Sequence, residues 1–304
     1  MVEQERTQEL YTGTMDRPAL LLVNPHARQV QQRLTEVRKQ LTERGFTLIE
    51  ETIPDPADLP SLLARYRERV ECVIVGGGDG TLNAVVDGLV GVGLPLGVLP
   101  LGTANDLART LNIPLTVPEA CQVIQTGQPK QIDLGWVNGK HFFNVASLGL
   151  TTRITQRLTG TIKKRWGVFA YALTAFQVVG QARPFRAEVR VDGQSFSVRT
   201  LQIAVGNGRY YGGGLTVATD AAIDDQRLDL YSLECNAWWQ VVSLLPAMSR
   251  GDQGRSPLVS ALQGQEIEIL TQRPRRISTD GELTVTTPAR FKVIPLALSV
   301  LVPQ

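Results

Sequence analysis

Over the first 130 residues, short apolar runs alternate with stretches in which apolar residues recur every three or four positions. The runs at 19–23, 72–75 and 96–100 are rich in Val, Ile and Leu, which is typical of strands buried on both faces. The stretch at 30–41 carries apolar residues at helical spacing and is one of several predicted helices. Strands that alternate with helices in this way predict an open, mainly parallel α/β sheet.

Beyond about residue 130 the pattern changes to short strands separated by polar turns. Asn138-Gly139 and Asp192-Gly193 each stand between two apolar runs and predict tight hairpin turns. Helices are expected near 165–180 and 237–249, and the rest is predicted to be an antiparallel β-rich domain. The predicted strands are 131–137, 141–146, 185–191, 195–205, 215–218, 228–233, 266–270, 276–279, 283–286 and 296–302.

The sequence GGGDGT at 76–81 joins a predicted strand to a predicted helix. Glycines allow close backbone approach, and the first N–H groups of the helix point at whatever occupies the turn, most often a phosphate. The stretch fits neither the dinucleotide-binding fingerprint nor the P-loop, because both spacings fail and no Lys follows. Taken alone, it is equally compatible with an ordinary strand-to-helix turn.

A second turn, LGTANDLAR at 101–109, follows the next predicted strand, so the two turns should meet at one edge of a parallel sheet. Together, GGGDGTLNAVVDGL and PLGTANDLAR closely resemble the catalytic domain of the diacylglycerol kinase family, in the bacterial soluble branch shared with sphingosine and ceramide kinases. GGDGT alone also suits NAD kinases and phosphofructokinases, whereas GTANDLAR does not. The resemblance covers nearly the whole chain, from Asn24 to the final strand.

The resemblance implies an α/β protein of two domains. A loose tail at 1–17 would precede an open, mainly parallel nucleotide-binding domain at 18–130, to which the strand at about 295–304 returns. An antiparallel β-rich, lipid-binding domain would occupy 131–294. The implied activity is that of an ATP- and Mg²⁺-dependent kinase that phosphorylates a hydroxyl of diacylglycerol or a similar lipid.

Composition narrows the cellular setting. The 304 residues suffice for two cores, and a net charge of +2 indicates no general attraction to nucleic acid. The three scattered cysteines lack metal-binding spacing and are expected to be reduced core residues of a cytoplasmic protein. We see neither a signal peptide nor the roughly 20 apolar residues of a membrane span. If the substrate is a lipid, the protein would associate peripherally with the membrane surface to reach it. The sequence does not decide whether the protein forms a homodimer.

Asp79 and Asp106 place a carboxylate in each of the two turns. Mg²⁺ prefers oxygen ligands and bridges nucleotide phosphates, which favours a metal-linked, catalytic role for both. The alternative is that each residue caps a helix, which can coexist with that role. Thr81 and Thr103 could donate hydroxyls to phosphate, again with capping as the alternative. The nucleotide-binding residues predicted in the turns are Gly77, Gly78, Asp79, Gly80, Thr81, Leu82, Asn83 and Thr103.

Asn24-Pro25 matches the first two residues of the family's Asn-Pro-x-x-Gly-Lys nucleotide loop, but the match fails after them. Arg28 could supply the missing positive charge, although its planar fork would bind phosphate differently from an ammonium group. A plain strand-ending turn with a solvated Arg28 is equally compatible. Thr52, which ends a predicted strand at 46–52, matches a family nucleotide-contact position weakly. The altered loop bears on nucleotide affinity more than on the fold.

Two further positions resemble the metal-linked residues of the family. Asp133 stands where the family has an aspartate that helps to organise a metal and water network; a solvent-facing strand residue is the alternative. The segment 221–229 resembles a structural metal loop, in which Asp225 would give its carboxylate and Ala222 and Arg227 their backbone carbonyls. Gln226 replaces the usual glycine, so a plain acidic turn is equally compatible.

Asp280-Gly281-Glu282 matches the Asp-Gly-Glu turn of the family, and the resemblance implies that Glu282 is the general base. A lipid hydroxyl is a poor nucleophile, so a carboxylate that accepts its proton would assist attack on phosphorus. On its own, Asp-Gly favours a hairpin turn. Basic clusters at 163–169 and at 273–276 could face anionic headgroups, with solvated surface as the alternative.

Three hypotheses about function remain at this point. The leading one is the lipid kinase. The alternative enzyme is a polyphosphate or NAD kinase that shares the glycine turn, and the 101–109 motif and the strand pattern of 200–290 argue against it. A catalytically weak lipid-binding or regulatory protein is favoured by the altered 24–29 loop, but the presence of Asp79, Asp106 and Glu282 argues against it.

Overall fold

The fold is described from a computed structural model of the chain. The structure describes residues 17–24, 28–53, 55, 57–152, 183–211, 215–216, 221–235, 240, 243–244 and 256–304, with the backbone alone at 28–31, 211 and 215–216. The loose tail predicted at 1–17 lies outside these residues except for Arg17, which is the first residue of β1 and not part of a tail. The predicted helix at 165–180, the basic segment 163–169 and most of the helix predicted at 237–249 also lie outside them. No helix within the described ranges is both long and apolar enough to cross a membrane.

The N-terminal part is a parallel sheet with helical connections. In chain order its elements are β1 (Arg17–Val23), α1 (Arg28–Thr42), β2 (Phe46–Thr52), α2 (Leu59–Tyr66), β3 (Cys72–Gly77), α3 (Asp79–Leu89), β4 (Leu96–Pro100), α4 (Asp106–Thr110) and α5 (Val117–Thr126). The strands are parallel in the order β2-β1-β3-β4. All six residues of β3 are buried, as its apolar run predicts. Because the strands are parallel, the turns that follow them lie at one edge of the sheet.

The C-terminal part consists of antiparallel strands around a second hydrophobic core. Its elements are β5 (Gln128–Val137), β6 (Lys140–Phe142), β7 (Val145–Gly149), β8 (Phe185–Val191), β9 (Gln194–Thr200), β10 (Gln202–Gly206), β11 (Tyr210–Tyr211), β12 (Leu215–Thr216), β13 (Leu228–Leu233), β14 (Val259–Gly264), β15 (Glu266–Thr271), β16 (Arg276–Thr279), β17 (Glu282–Thr286) and β18 (Ala289–Val302). Six strands form a sheet in the order β14-β13-β10-β7-β16-β17. The predicted fold class, a parallel α/β part followed by an antiparallel β-rich part, is confirmed.

The long strand β18 joins the two parts into one ten-stranded sheet. It pairs in an antiparallel manner with β5 and β15, and it lies parallel to β4 where Val300 meets Leu96. The strand begins at Ala289 rather than at the predicted residue 296. Pro295 interrupts the apolar pattern, but the strand passes it through a register shift between Ile294 and Leu298.

Two strands that we predicted as continuous are each divided between the two sheets. The predicted strand 141–146 is β6 followed by β7, and 195–205 is β9 followed by β10. In both cases the first strand belongs to the ten-stranded sheet and the second to the six-stranded sheet. An apolar run does not show where the chain passes from one layer to the other. β14 is a further strand that the pattern did not predict.

The predicted hairpin turns are present. Asn138-Gly139 has φ values of 45° and 93°, and Asp192-Gly193 has values of 45° and 87°. The Asp280-Gly281 turn between β16 and β17 has values of 46° and 91°. A two-residue turn with positive φ at both positions matches the right-handed twist of the flanking strands, which explains the Asx-Gly sequences.

Asp87 on α3 fastens the N-terminal part to β6. Its carboxylate accepts hydrogen bonds from Lys140 Nζ at 2.6 Å and from the ring and backbone nitrogens of His141 at 2.8 and 2.9 Å. Lys140 Nζ also donates to the backbone carbonyl of Asn83 at 2.8 Å. Burial alone would raise the pKa of Asp87, but these donors outweigh it and hold the pKa below its ordinary value. The contact fixes α3 relative to the second part.

Candidate active site

The two glycine turns touch each other at Gly78 and Gly102. A β-carbon added to Gly102 would overlap the α-carbon of Gly78, and one added to Gly78 would lie 3.0 Å from the α-carbon of Gly102. The backbone of the first turn is also bonded to the second, because Leu101 N–H donates to the carbonyl of Gly77 at 2.9 Å. Residues with side chains at these two positions would push the turns apart. The predicted meeting of the two motifs at one sheet edge is therefore observed.

Asp79, the first residue of α3, reaches across to the second turn. Its Oδ1 accepts hydrogen bonds from the backbone N–H groups of Asp106 at 2.7 Å and Leu107 at 3.5 Å. The alternative of a helix cap is thus realised, but on α4 rather than on its own helix. Burial raises the pKa of the Asp79 carboxyl, and the backbone donors partly oppose this. Asp106 itself is buried at the start of α4.

Glycines make room for close packing at the N-terminus of α3. A β-carbon on Gly77 would overlap the side chain of Thr81, which lies over that glycine. The N–H groups of Thr81 and Leu82 donate to the carbonyl of Gly78 at 2.9 and 3.1 Å. The Leu82 side chain is buried in the core, so any contribution to a nucleotide site would come from its backbone. Thr103 is exposed in the second turn.

Asn105 braces the second turn, a function that we did not assign to it from the sequence. It adopts a left-handed conformation with φ of 52°. Its Oδ1 accepts the N–H of Gly102 at 2.9 Å, and its Nδ2 donates to the carbonyl of Gly102 at 3.0 Å. Asn is among the few residues with side chains that tolerate this conformation, which is the signal that could have identified it.

Glu282 lies against the first glycine turn although 202 positions separate it from Gly80 in the chain. A β-carbon added to Gly80 would stand 2.9 Å from Oε1 of Glu282. Glu282 is the first residue of β17 and is exposed. The hairpin of the second part therefore delivers a solvent-accessible carboxylate to the predicted phosphate-binding turn. Its catalytic role stays a prediction.

Asp280 anchors the hairpin that carries Glu282. Its carboxylate accepts the backbone N–H groups of Phe143, Asn144 and Val145 at 2.8, 2.9 and 3.2 Å. It also accepts Nδ2 of Asn83 on α3 at 3.3 Å. Burial raises the pKa of Asp280, and these hydrogen bonds act in the opposite direction. The hairpin is thus bonded both to the link between β6 and β7 and to α3.

Asn83 is placed differently from our prediction. Its side-chain amide is buried and donates to Thr279 Oγ1 at 3.1 Å as well as to Asp280. The amide is therefore committed to the hairpin and not directed to the glycine turn, because it lies on the inner side of α3. The sequence placed it in the motif but could not show which way it points.

Two of the remaining predicted nucleotide contacts, Asn24 and Thr52, stand at the same sheet edge. Asn24 follows β1, and Thr52 is the last residue of β2 and is exposed. Pro25 lies outside the described residues, and so does the side chain of Arg28, the first residue of α1. Their roles stay predictions.

In the predicted structural metal loop, the carboxylate of Asp225 is bonded within the loop itself, and the metal-binding role of the loop stays a prediction. Asp225 accepts the backbone N–H groups of Ala222 at 3.2 Å and Arg227 at 3.3 Å. The guanidinium of Arg227 lies 3.1 Å from Asp225 Oδ2, so a protein cation already neutralises the carboxylate. Gln226 takes the left-handed conformation with φ of 57° that favours glycine. Within the described ranges, no group of three or more His, Cys, Asp or Glu residues is arranged to hold a metal.

Asp133 has a structural position in the same region. It is 1% exposed, which corrects the alternative of a solvent-facing strand residue. Its Oδ2 accepts the N–H of Gln226 at 2.6 Å, and its Oδ1 accepts the N–H of Leu296 at 2.8 Å. The carboxylate thus joins β5 to the 221–229 loop and to the bend of β18. Its metal-linked role stays a prediction.

Family models match both parts of the chain. The diacylglycerol kinase catalytic domain matches residues 18–137, and the YegS C-terminal NAD kinase beta sandwich-like domain matches residues 144–302. The catalytic-domain match contains both glycine turns, and the sandwich match contains the hairpin of Glu282. Fold and site together define a two-domain kinase.

Similar proteins cover almost the full length of the chain. A Yersinia enterocolitica protein named "Probable lipid kinase YegS-like" is 33% identical over 87% of this chain and 90% of its own length. A Staphylococcus aureus "Diacylglycerol kinase" is 29% identical over 95% and 94%. A Bacillus anthracis crystal structure named "putative diacylglycerol kinase" superposes with a TM-score of 0.81 at 26% identity, over 94% and 95%. The chain belongs to the diacylglycerol kinase-like lipid kinase family.

Proposed function

We propose that the protein transfers the γ-phosphate of ATP to a hydroxyl of diacylglycerol or a similar lipid. The observation that carries the proposal is the position of the Glu282 carboxylate against Gly80. It brings a candidate proton acceptor to the turn that we propose binds the phosphates. Neither group alone indicates phosphoryl transfer, but their contact does, since the acceptor hydroxyl must lie between the base and the phosphate.

The nucleotide phosphates would bind at the glycine turns. The first N–H groups of a helix point out of its N-terminus, where the helix dipole favours negative charge. In α3 the N–H groups of Thr81 and Leu82 already donate to the carbonyl of Gly78, so the proposed phosphate donors are those of the first two helical residues, Asp79 and Gly80. The two turns are held together by the Gly78–Gly102 contact and by Asp79, so these donors are fixed before a ligand arrives. Such preorganised donors stabilise the charge of the transferred group without reorganisation.

Mg²⁺ requires few protein ligands in this kind of site. It usually takes one or two carboxylates, with the other positions filled by phosphate oxygens and water. Asp79 would supply one carboxylate, and Asp106 is the second candidate. The ion would neutralise charge that develops on the transferred phosphoryl group. This requirement is weaker than that of a metal cage made only of protein groups, which the described residues do not form.

The acceptor is proposed to be a lipid that the protein meets at a membrane surface. The names of the Yersinia and Staphylococcus relatives support a lipid acceptor, and their full-length coverage means that both parts of this chain have counterparts. The NAD kinase-like sandwich supports NAD as the competing acceptor, because that family model matches residues 144–302. The two acceptors differ in charge and solubility, so one assay can separate them.

The test is turnover of labelled ATP with diacylglycerol in detergent micelles, and with NAD in parallel. Glu282→Gln should lower kcat by roughly 10²–10⁴-fold, the usual contribution of a positioned proton acceptor. ATP binding, measured by calorimetry, should be nearly unchanged because the base acts only in the transition state. Glu188→Gln is the control, since this exposed carboxylate pairs with Arg190 on β8.

Each outcome has a definite meaning. Phosphorylation of NAD but of no lipid would replace the proposed acceptor. Full kcat in Glu282→Gln together with a lowered unfolding temperature would make Glu282 a turn residue. ATP binding without any turnover would favour a lipid-binding regulatory protein.

A further inference from the structure

A cleft of about 500 Å³ on the C-terminal part is lined by four arginine residues. Arg186 and Arg199 come from β8 and β9, and Arg273 and Arg275 come from the link between β15 and β16. The remaining lining residues are uncharged. These four arginines give the cleft a formal charge of +4, whereas the net charge of the whole chain is only +2. The charge is therefore concentrated locally and not a general property of the surface.

Arg186 and Arg199 stand directly opposite each other on the paired strands β8 and β9. Like charges in that position repel and destabilise a sheet. Within the part of the chain that the structure describes, no carboxylate lies within ion-pair distance of either. The neighbouring Arg190 on the same strand face differs, because it pairs with Glu188 and Glu268, each at 3.1 Å. The fold thus neutralises one arginine of β8 and leaves an uncompensated pair at the cleft.

Arg275 is held in place within the cleft. The guanidinium of Arg275 stacks on the ring of Phe185 at 3.8 Å from its centroid. Thr271 Oγ1 donates to the carbonyl of Arg273 at 2.8 Å, and the N–H of Arg275 donates to Thr287 Oγ1 at 2.9 Å. Because stacking and backbone hydrogen bonds already restrict Arg275, its side chain would lose less conformational freedom on binding a ligand.

We propose that this arginine cleft binds a phosphate group and is a second anion site, separate from the glycine turns. Guanidinium groups bind phosphate oxygens through paired N–H donors, and an anion between Arg186 and Arg199 would remove their repulsion. Arg275 lies in the cleft directly before β16, and Glu282 follows the turn at the other end of that strand. The four residues of β16 lie between them, so the cleft and Glu282 are roughly 15 Å apart. The inference does not depend on the proposed reaction.

The test uses the double variant Arg186→Gln/Arg199→Gln and inorganic phosphate as the probe, at constant ionic strength. Calorimetry should show at least about tenfold weaker phosphate binding than in the wild type, the usual effect of losing charged hydrogen bonds. Without phosphate and at low salt, the unfolding temperature of the double variant should equal or exceed that of the wild type, because the repulsion is gone. Arg290→Gln is the control, since that exposed arginine pairs with Glu266 at 2.8 Å.

Two results would overturn the proposal. One is an unchanged phosphate titration in the double variant. The other is a lower unfolding temperature of that variant in phosphate-free buffer, which would mean that the arginines form stabilising contacts of their own. The Arg290→Gln control should retain the full phosphate response.

Vesicle binding identifies the source of the phosphate group. Phosphatidylglycerol vesicles, with phosphatidylcholine vesicles as reference, present the group as a lipid headgroup. Loss of phosphatidylglycerol binding in the double variant, but not in Arg290→Gln, would assign the cleft to an anionic membrane lipid. Unchanged vesicle binding with weakened phosphate binding would assign it to a phosphate-bearing solute.

Discussion

The hydrogen bonds of Asp280 allow a sharp test of how the site is assembled. Replacing Asp280 by Asn preserves the size of the side chain and its preference for the turn, but one acceptor oxygen becomes an NH₂ donor. In one orientation the new NH₂ group faces the N–H groups of Asn144 and Val145. In the other it faces the N–H of Phe143 and the amide of Asn83. Either way, two donors lose their acceptor.

The magnitude follows from that count. A buried donor without an acceptor costs about 1–3 kcal/mol, so two of them cost roughly 2–6 kcal/mol. Domains of this kind are stable by about 5–15 kcal/mol, so Asp280→Asn should fold but should unfold roughly 5–15 °C earlier. The hairpin should also shift, and a displacement of the order of 1 Å at a catalytic group lowers kcat by roughly 10²-fold.

The assay pairs thermal unfolding with turnover of labelled ATP. Asp192→Asn is the matched control, because Asp192-Gly193 forms the same kind of turn and its carboxylate accepts the N–H of Glu266 at 2.9 Å. That turn is exposed and lies between β8 and β9, so its variant should keep the wild-type kcat. If Asp280→Asn kept both its kcat and its unfolding temperature, the hydrogen bonds would not position the hairpin, and the reasoning would be wrong.

Three further predictions concern neighbouring groups. Asp79→Asn should lower kcat by about 10²-fold in the ATP assay. Its unfolding temperature should be unchanged because Asn can still cap α4, and near-normal turnover would leave Asp79 only a capping role. Gly80→Ala should displace the flexible carboxylate of Glu282, the proposed base, and lower kcat by at least about tenfold with little loss of stability. Gly102→Ala pushes against backbone and should unfold earlier, and equal unfolding temperatures of the two variants would contradict the packing of the turns. The pKa of Asp87 is lowered in the fold, so its contribution to stability is present above about pH 4 and is lost as the pH falls through the lowered pKa. Asp87→Asn should therefore flatten the acid limb of urea-unfolding free energy, and an unchanged slope between pH 2 and 5 would refute this.

The strands and turns of the N-terminal part could be predicted because their signals are local. A fully buried strand such as β3 is a continuous apolar run, and a turn such as Asn138-Gly139 needs residues that accept positive φ. The meeting of the two glycine motifs followed from the parallel order of β3 and β4. These features depend on neighbouring residues or on one rule of sheet topology.

Side-chain direction and long-range partners were not predictable in the same way. The amide of Asn83 turns to a hairpin almost 200 residues away, and burial of Asp133 depends on the loop that covers it. The guanidinium of Arg227 lies 3.1 Å from the Asp225 carboxylate for which the family pattern implied a metal, and the sequence did not show this contact. The change of layer between β9 and β10 leaves no mark on the apolar pattern. Each of these facts is decided by packing between distant segments.

The position of β18 has a consequence for how the chain acquires its structure during synthesis. Residues 289–302 emerge from the ribosome after all the strands with which they pair, including β4 of the parallel sheet. Until then the sheet edge at β4 is uncovered, and such an edge invites pairing with other chains. Many multidomain chains complete the first domain before the second is made, but this topology couples the two. A nascent chain should therefore need protection of that edge until β18 arrives, and a fragment ending near residue 137 should be prone to aggregation.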